Sequence, residues 1–304
     1  MKYFLDIRRL RYFVAIADHG SLSGAARSLR VAQPALSHHV RQIESAIGTK
    51  LLNRRPNGVT LTEAGHLLRR HAGQFINQME QAQDELLALA APLLKTQLRL
   101  AIIPSIAADL TPILLEEFLR TVPNVSLRII EAGTHGGLEM IQDGTADIAI
   151  SLSPLEDSQP IAWEQLHLVC KDLGPDSHGN ISFAQVLALP LILPSHGNPL
   201  REMLEAQASE TSHSLNVVLE IDGSASRIGA LFSGQGSTIL GATSTNELAS
   251  VPGLAVRPIV LPIIRRPLFL ATRRGLAAEL VEETRSTFST ALSRIASLDV
   301  VDDR

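Results

Sequence analysis

Apolar residues in the first sixty positions recur with a helical period. Leu36, Val40, Ile43 and Ile47 follow at steps of four, three and four, one stripe of a 3.6-residue helix. Opposite them stand Pro34, His38, Arg41 and Ser45, with Gln33, Ser37 and Gln42 on the flanks. That outward face is rich in hydrogen-bonding side chains and poor in acids. Upstream, Leu10, Phe13, Val14 and Ala17 predict a helix over residues 8–18, ended by His19-Gly20. Ser21 is placed to cap a second helix that turns Ala25, Ala26 and Leu29 inward, and the small Gly24, Ala25 and Ala26 let it approach the third closely. Residues 30–32 break the chain, and Pro34 falls in the first turn of the polar-faced helix, where no intrahelical donor is needed. Two short helices at a steep angle, the second with a polar outward face, predict a helix-turn-helix. Strand-like pieces at 51–53 and 59–61 flank the turn RRPNG and predict a hairpin, a wing tipped by Arg54 and Arg55.

Residues 62–91 form one long predicted helix ended by Pro92. Leu68, Ala72, Phe75, Met79, Ala82, Leu86 and Leu89 alternate at steps of four and three, a seam of heptad period, while Gln74, Asn77, Gln78, Gln81 and Gln83 keep the rest polar. Such a seam needs a partner helix, and a second copy of the chain is the simplest one. Beyond it the pattern alternates. QLRLAIIP, VSLRIIEA and ADIAISL predict strands separated by a helix over 106–120 and by GGLEMIQDG. EQLHLVCK, PLILP, LNVVLEI, STILG and RRPLFLATR continue with a helix over 199–208 and a last one over 277–298. This order predicts α/β architecture with a mainly parallel sheet.

At 304 residues, with 45% hydrophobic and 19% charged residues, the chain has material for two or three packed domains. The longest apolar runs, near 86–94 and 187–194, fall well short of a membrane span, and charge interrupts MKYFLDIRRL before a signal peptide develops. The single Cys170 excludes an internal disulfide and fits a reducing, cytoplasmic compartment. The net charge of −4 hides an asymmetry. Residues 1–71 hold twelve Lys and Arg against four Asp and Glu, a net of +8; the remainder holds fifteen against twenty-seven, a net of −12. A basic N-terminal part predicts an anionic partner for that part alone, nucleic acid above all.

LRYFVAIADHGSLSGAARSLRVAQPALSHHVRQIESAIGTKLLNRRPNGVTLTEAGHLL resembles the winged helix-turn-helix of LysR-type transcriptional regulators without a break over about sixty residues, through GSLSGAA, AQPALS and GVTLTEAG. The resemblance implies a recognition helix in the major groove, a wing near the minor groove and no enzymatic activity. Carried over by position, Gln33, Pro34, Ser37 and His38 fall where family members touch bases, and Arg41, Arg54 and Arg55 fall near phosphates. Asn57 departs from the arginine that many members carry in the wing. His38-His39 is a poor metal pair, because adjacent helical residues point about 100° apart. The family dimerises through the long helix, which assigns Leu68, Phe75, Met79 and Leu86 to self-association as dimer or tetramer.

Residues 96–295 resemble the family's effector domain, two Rossmann-like subdomains similar to type II periplasmic binding proteins, leaning toward the nitrogen-assimilation-control branch. The implied division is a DNA-binding domain over 1–61, a linker helix over 62–92 and an effector domain over 93–304. Within the last, subdomain I takes about 93–163 and 267–304 and subdomain II about 164–266, with crossings near 163–165 and 261–266. A cleft between them is where a small molecule binds, at strand ends and helix starts. Ser105 and Thr134 match effector-contacting positions of the family; Ser195, His196 and Ser224 follow strands of the second half and match more loosely, with plain helix capping as the competing reading. No Arg or Lys stands at these tips, so no strongly charged effector is demanded. H-E-x-x-H, G-x-S-x-G and P-loop motifs are absent, Cys170 reads as packing inside an apolar strand, and Asp147 reads as a turn residue. No cofactor or metal is implied. The expected partners are promoter DNA, a small-molecule effector, a second copy and RNA polymerase, with no membrane. A competing reading keeps the α/β part as a solute-binding or enzymatic module with N-terminal helices that serve only dimerisation.

Overall fold

In the computed structural model, three helices bring the first apolar stripes together: α1 (Ile7–His19), α2 (Leu22–Leu29) and α3 (Gln33–Ile47). Asp6 caps α1 by accepting the Arg9 amide at 2.9 Å, and Ser21 caps α2 by accepting the Gly24 amide at 3.1 Å. A Cβ on Gly24 would meet that Ser21 hydroxyl and the His19 side chain, so its small size serves the cap rather than the approach of α3. Phe13, Ile16, Ala25, Leu36, Val40 and Ile43 close the core. The buried stripe of α1 runs through Ile16 and leaves Val14 half-buried. Ile47, expected inside, is exposed: the last turn of α3, Ser45 to Ile47, projects beyond the core.

The wing is an antiparallel hairpin of β1 (Leu52–Arg55) and β2 (Gly58–Leu61), with Arg54 opposite Val59 and Arg55 opposite Gly58. Both arginines lie in the strand rather than at the tip, and the tip residues 56 and 57 lie outside the described residues. The described residues are 4–55, 58–90, 96–121, 125–155, 158–276 and 278–301. The Val59 amide donates to the Gly20 carbonyl at 2.7 Å, and a Cβ on Gly58 would collide with that carbonyl. Glycine is what lets the hairpin close onto the turn between α1 and α2. The long helix α4 (Glu63–Ala90) follows. The expected stop at Pro92 lies outside the described residues.

By packing, the chain forms two compact units, Met1–Thr96 with Glu139–Ala146, and Gln97–Leu138 with Asp147–Arg304. The α/β part comprises, in order, β3 (Thr96–Ile102), α5 (Pro104–Thr121), β4 (Val125–Glu131), α6 (Thr134–Asp143), β5 (Ile148–Ser151), β6 (Pro160–Lys171), β7 (Ile181–Ser182), α7 (Phe183–Leu187) and β8 (Leu191–Leu193). It continues with α8 (Pro199–Glu210), β9 (Val217–Glu220), α9 (Ser224–Leu231), β10 (Thr238–Gly241), α10 (Ala242–Thr245), β11 (Leu254–Val260), β12 (Arg265–Thr272), α11 (Ala278–Ser293) and β13 (Leu298–Val300). The sheet order is β4-β3-β5-β12-β6-β11-β7, with β10 and β13 also on β6. One twelve-residue strand, β6, therefore belongs to both halves. Residues 160–165 pair with β12 and 162–164 with β13, while 166–171 pair with β10 and β11. The expected start of a strand at Glu164 is really the middle of this one.

The sheet is mixed rather than mainly parallel. Parallel pairing joins β3 to β5, β7 to β11 and β8 to β9, whereas every partner of β6 is antiparallel to it. The reason is the crossing: β6 leaves the first half, and β11 and β12 bring the chain back alongside it in the opposite direction. Each half keeps its own core. Leu98, Leu100, Ile106, Leu110, Ile148, Leu268 and Phe288 anchor the first, and Leu166, Leu168, Phe183, Val186, Leu191 and Ile239 the second. The last helix ends at Ser293, short of the expected 298, because residues 298–300 leave it to pair with β6.

Asp147 holds the first half together at the start of β5. Its buried carboxylate accepts the Arg99 amide at 2.9 Å, Arg99 Nε at 3.0 Å and Nη2 at 2.9 Å, and Arg273 Nε at 3.0 Å. Burial alone would raise its pKa, but the Arg99 and Arg273 donors outweigh burial and hold it below the ordinary value. Asp147→Asn should cost about 3 kcal/mol at pH 7, because it removes the negative charge that two half-buried guanidinium groups face, and should lower Tm by roughly 6–12 °C. Because the folded carboxyl titrates below the unfolded one, this stabilisation is fully present above about pH 4 and fades as pH falls below that value. Thermal melts of both proteins from neutral pH downward should show the gap closing in acid.

Candidate functional sites

On α3 the side chains of Gln33, Pro34, His38, Arg41 and Ser45 are exposed together, and Arg54 and Arg55 of β1 are exposed with them. Ser37 is different. Its side chain is buried, and its hydroxyl accepts Arg54 Nη2 at 3.0 Å, while its carbonyl accepts Arg41 Nε at 3.2 Å. Ser37 therefore organises two arginines instead of standing free on the surface, because it lies at the border of the α3 face where β1 passes. Sequence reasoning missed Glu44. This buried carboxylate accepts the amides of Leu51 and Leu52 at 2.9 and 3.4 Å and pairs with Lys50 at 3.2 Å, so α3 itself holds the root of the wing. The buried side of an otherwise polar helix carrying one acid is the signal that would have found it. His39 turns to Tyr12, with ring centroids 5.2 Å apart, and among the described residues no His, Cys, Asp and Glu cluster could hold a metal ion.

The seam of α4 divides. Leu68 packs against the core of the three helices and Ala72 is fully buried, so both are used within their own unit. Phe75 remains 50% exposed and Leu86 66% exposed, and Met79 is half-buried. Phe75 and Met79 line a groove of about 780 Å³ between α1 and α4, together with Leu5, Leu10, Leu68 and Ala72. Leu89 has its side chain outside the described residues.

In the α/β unit the expected hydroxyls stand at strand ends. Ser105 opens α5, and its hydroxyl accepts Arg266 Nη2 at 2.9 Å, while its carbonyl accepts the Ser244 hydroxyl at 2.6 Å. Thr134 opens α6 and accepts the Leu152 amide at 3.3 Å. Ser195 donates its amide and hydroxyl to Asp222 at 3.0 and 2.6 Å, which joins the loop after β8 to the loop before α9 and holds the Asp222 pKa down. Ser224 is the first residue of α9. His196 is exposed and turns instead to Glu205 at 3.4 Å and Glu220 at 4.0 Å, an acidic pair on α8 and β9 that Arg201 also meets.

The expectation that no cation stands near these tips is overturned. Arg266 of β12 reaches Ser105, and its charge is met by Glu164 of β6 at 2.6 Å, both side chains being buried. Glu164 also accepts the Thr243 amide at 2.8 Å, and a Cβ on Gly241 would collide with its carboxylate. Arg227, one turn into α9, is buried as well and donates through Nη1 to the carbonyls of Ile221 and Asp222 at 2.9 and 2.8 Å. Burial pulls its pKa down to about 10 and the nearby Arg266 adds to the fall, with Asp222 opposing. It stays protonated at neutral pH. None of these contacts is local in sequence, so periodicity and caps carry no sign of them. Cys170 is half-buried and burial raises its pKa, opposite to what a nucleophilic thiol needs.

Comparison with known proteins bears on both units. Residues 7–66 match the bacterial regulatory helix-turn-helix protein family, lysR type, and residues 92–291 match the LysR substrate binding domain. The nitrogen assimilation regulatory protein nac of Klebsiella aerogenes is 30% identical over 298 residues, covering 95% of this chain and 96% of its own. The DNA-binding transcriptional dual regulator OxyR of Escherichia coli is 27% identical over 282 residues, covering 89% and 90%. Among solved structures, the LysR family transcriptional regulator CbnR covers 94% of this chain and 99% of its own with a TM-score of 0.69 at 20% identity, a likeness of fold. These relatives are regulators and not enzymes. The chain belongs to the LysR family of transcriptional regulators, with similarity toward its nitrogen-assimilation-control branch, and carries that family's helix-turn-helix DNA-binding domain and effector-binding domain.

Proposed function

We propose that α3 enters the major groove of promoter DNA, with Gln33, Pro34 and His38 at the base edges and Arg41, Arg54 and Arg55 at the phosphates. The observation that carries this reading is the exposed polar face of α3 beside two wing arginines, on a segment whose net charge is +8. A structure of CbnR with its target DNA, of the same fold at a TM-score of 0.67, supports it. Ser37 acts through Arg54, which it positions. Dimerisation places a second copy against the Phe75–Met79 groove, and the bound oligomer, dimer or tetramer, meets RNA polymerase at the promoter. The effector enters the cleft lined by Ser105 and Thr134, with Ser195 and Ser224 at the opposite strand ends; His196 is left out of this set because it meets Glu205 and Glu220 instead. Among the described residues no helix is long and apolar enough to cross a membrane, and a regulator of promoters acts in the cytoplasm.

Duplex affinity should fall by about 10³-fold or more between about 50 and 200 mM salt, through counterion release. A chain that retains no duplex at low salt would overturn this reading of α3. Randomised-site selection separates the roles. His38→Ala should relax preference at one base pair per half-site at a cost of about 1–3 kcal/mol. Arg41→Ala should weaken all sequences alike and lower the salt slope by about one. Ser37→Ala should resemble Arg54→Ala in the same assay, because one frees the guanidinium from its position and the other removes it. An Arg41 variant that changes the selected motif would invert the assignment.

Glutamate at both Phe75 and Met79 should break the dimer, since the groove would then bury unpaired charge. Operator affinity should fall with it as the two half-sites lose their tether. Sedimentation at micromolar protein checks this, and a variant that stays dimeric places the interface elsewhere.

A further inference from the structure

Each of the first three helices ends on a residue in the left-handed region. After α1 and α3 that residue is glycine, Gly20 with φ 58° and Gly48 with φ 73°, but after α2 it is Arg30 with φ 54°. The stop itself is well made. The Arg30 amide donates to the Arg27 carbonyl at 3.2 Å, the Val31 amide donates back to the Ala26 carbonyl at 3.0 Å, and Val31 packs against the core. Glycine fits such a place freely, whereas a Cβ there crowds the following carbonyl oxygen. Arginine therefore strains a turn that glycine would close without strain. A strained residue kept where the fold does not need it points to a use for its side chain.

Nothing within the protein uses that side chain. Arg30 is exposed, and among the described residues its guanidinium meets no acceptor. A cation at the end of α2 gains from the helix dipole, but Arg27 in the last turn already supplies one. No acid stands nearby in sequence: residues 20–43 hold three arginines, two histidines and neither Asp nor Glu. The position is informative as well. Arg30 lies in the turn between α2 and α3, three residues before Gln33, and three residues span at most about 11 Å. Arg41 stands about 12 Å further along the α3 axis from Gln33, and Arg54 and Arg55 stand on the wing. The phosphate contacts assigned so far therefore leave the start of α3 without a cation.

We infer that Arg30 is a further positioning residue for DNA, its guanidinium meeting a phosphate of the strand that passes the start of α3. This rests on the reading that α3 enters the major groove. Such a contact carries no sequence information; it fixes where the helix begins along the groove.

The test follows the full chain on two duplexes across a salt series, one duplex recovered by randomised-site selection and one of unrelated sequence. Arg30→Gly relieves the backbone and removes the cation. It should melt no lower than the wild type, yet bind both duplexes about tenfold more weakly at about 0.1 M salt, with the salt slope lowered by about one. Arg30→Asn tolerates the left-handed backbone without a charge and should bind as weakly as Arg30→Gly. Arg30→Lys should restore most of the affinity and the full slope, which a role confined to the helix stop would not do. An Arg30→Gly protein that keeps affinity and slope while Arg41→Ala loses both overturns the inference and leaves the reading of α3 standing. If neither variant changes them, that reading falls as well. A loss on the selected duplex alone makes Arg30 a base reader, and an Arg30→Gly protein that melts well below the wild type makes it a residue of the fold. Either result overturns the phosphate assignment.

Discussion

A carboxylate and a guanidinium taken out of water, Glu164 and Arg266, face each other across the two strands that join the halves of the α/β unit. A buried ion pair is weak evidence for stability, because desolvation offsets most of the attraction. Its force lies in what cannot change while it exists. A slip of β12 against β6 by one residue would turn Arg266 to the other face and strand Glu164. The same carboxylate caps α10 through the Thr243 amide, and the same guanidinium reaches Ser105 at the start of α5. Strand register, the placement of α10 and the start of α5 are therefore three aspects of one charge arrangement. Gly241 belongs to it too, since any larger residue would press on the carboxylate.

How much of this was legible in the sequence follows from the range of each interaction. The caps by Asp6 and Ser21 and the inner stripe of α3 through Leu36, Val40 and Ile43 are set by neighbours within four residues, and local pattern suffices for them. Ile47 broke the same pattern because burial depends on where the core ends, which periodicity does not encode. Strand β11 escaped notice because Arg257 and Pro258 interrupt its apolar run, whereas pairing with β6 holds it in place. Ser105 and Thr134 were visible as residues that follow strands. Arg266 lies 161 positions from Ser105, and only the fold brings them together.

The long helix shows one stripe used in two ways. A heptad seam reads from sequence as a single surface, yet Leu68 and Ala72 are taken up by the helix's own unit while Phe75 and Leu86 remain outside. The division follows from what lies beside the helix, since α1 flanks its first turns. The same economy appears in α3, where Ser37 looks like a surface residue by period and in fact fixes an arginine.

The wing is tied to the helices at both of its strands. Glu44 of α3 holds its root by the amides of Leu51 and Leu52, and the Gly20 carbonyl holds its return strand at Val59. Helix and hairpin thus behave as the two arms of a locked caliper, with the spacing between the exposed face of α3 and the arginines of β1 set by the fold itself. On the reading proposed for α3 and the wing, one base pair inserted within a half-site would shift the DNA backbone by about 3.4 Å and carry the phosphates away from Arg54 and Arg55. On that reading, differences in spacing among operators would be taken up between half-sites, at the joint between two copies.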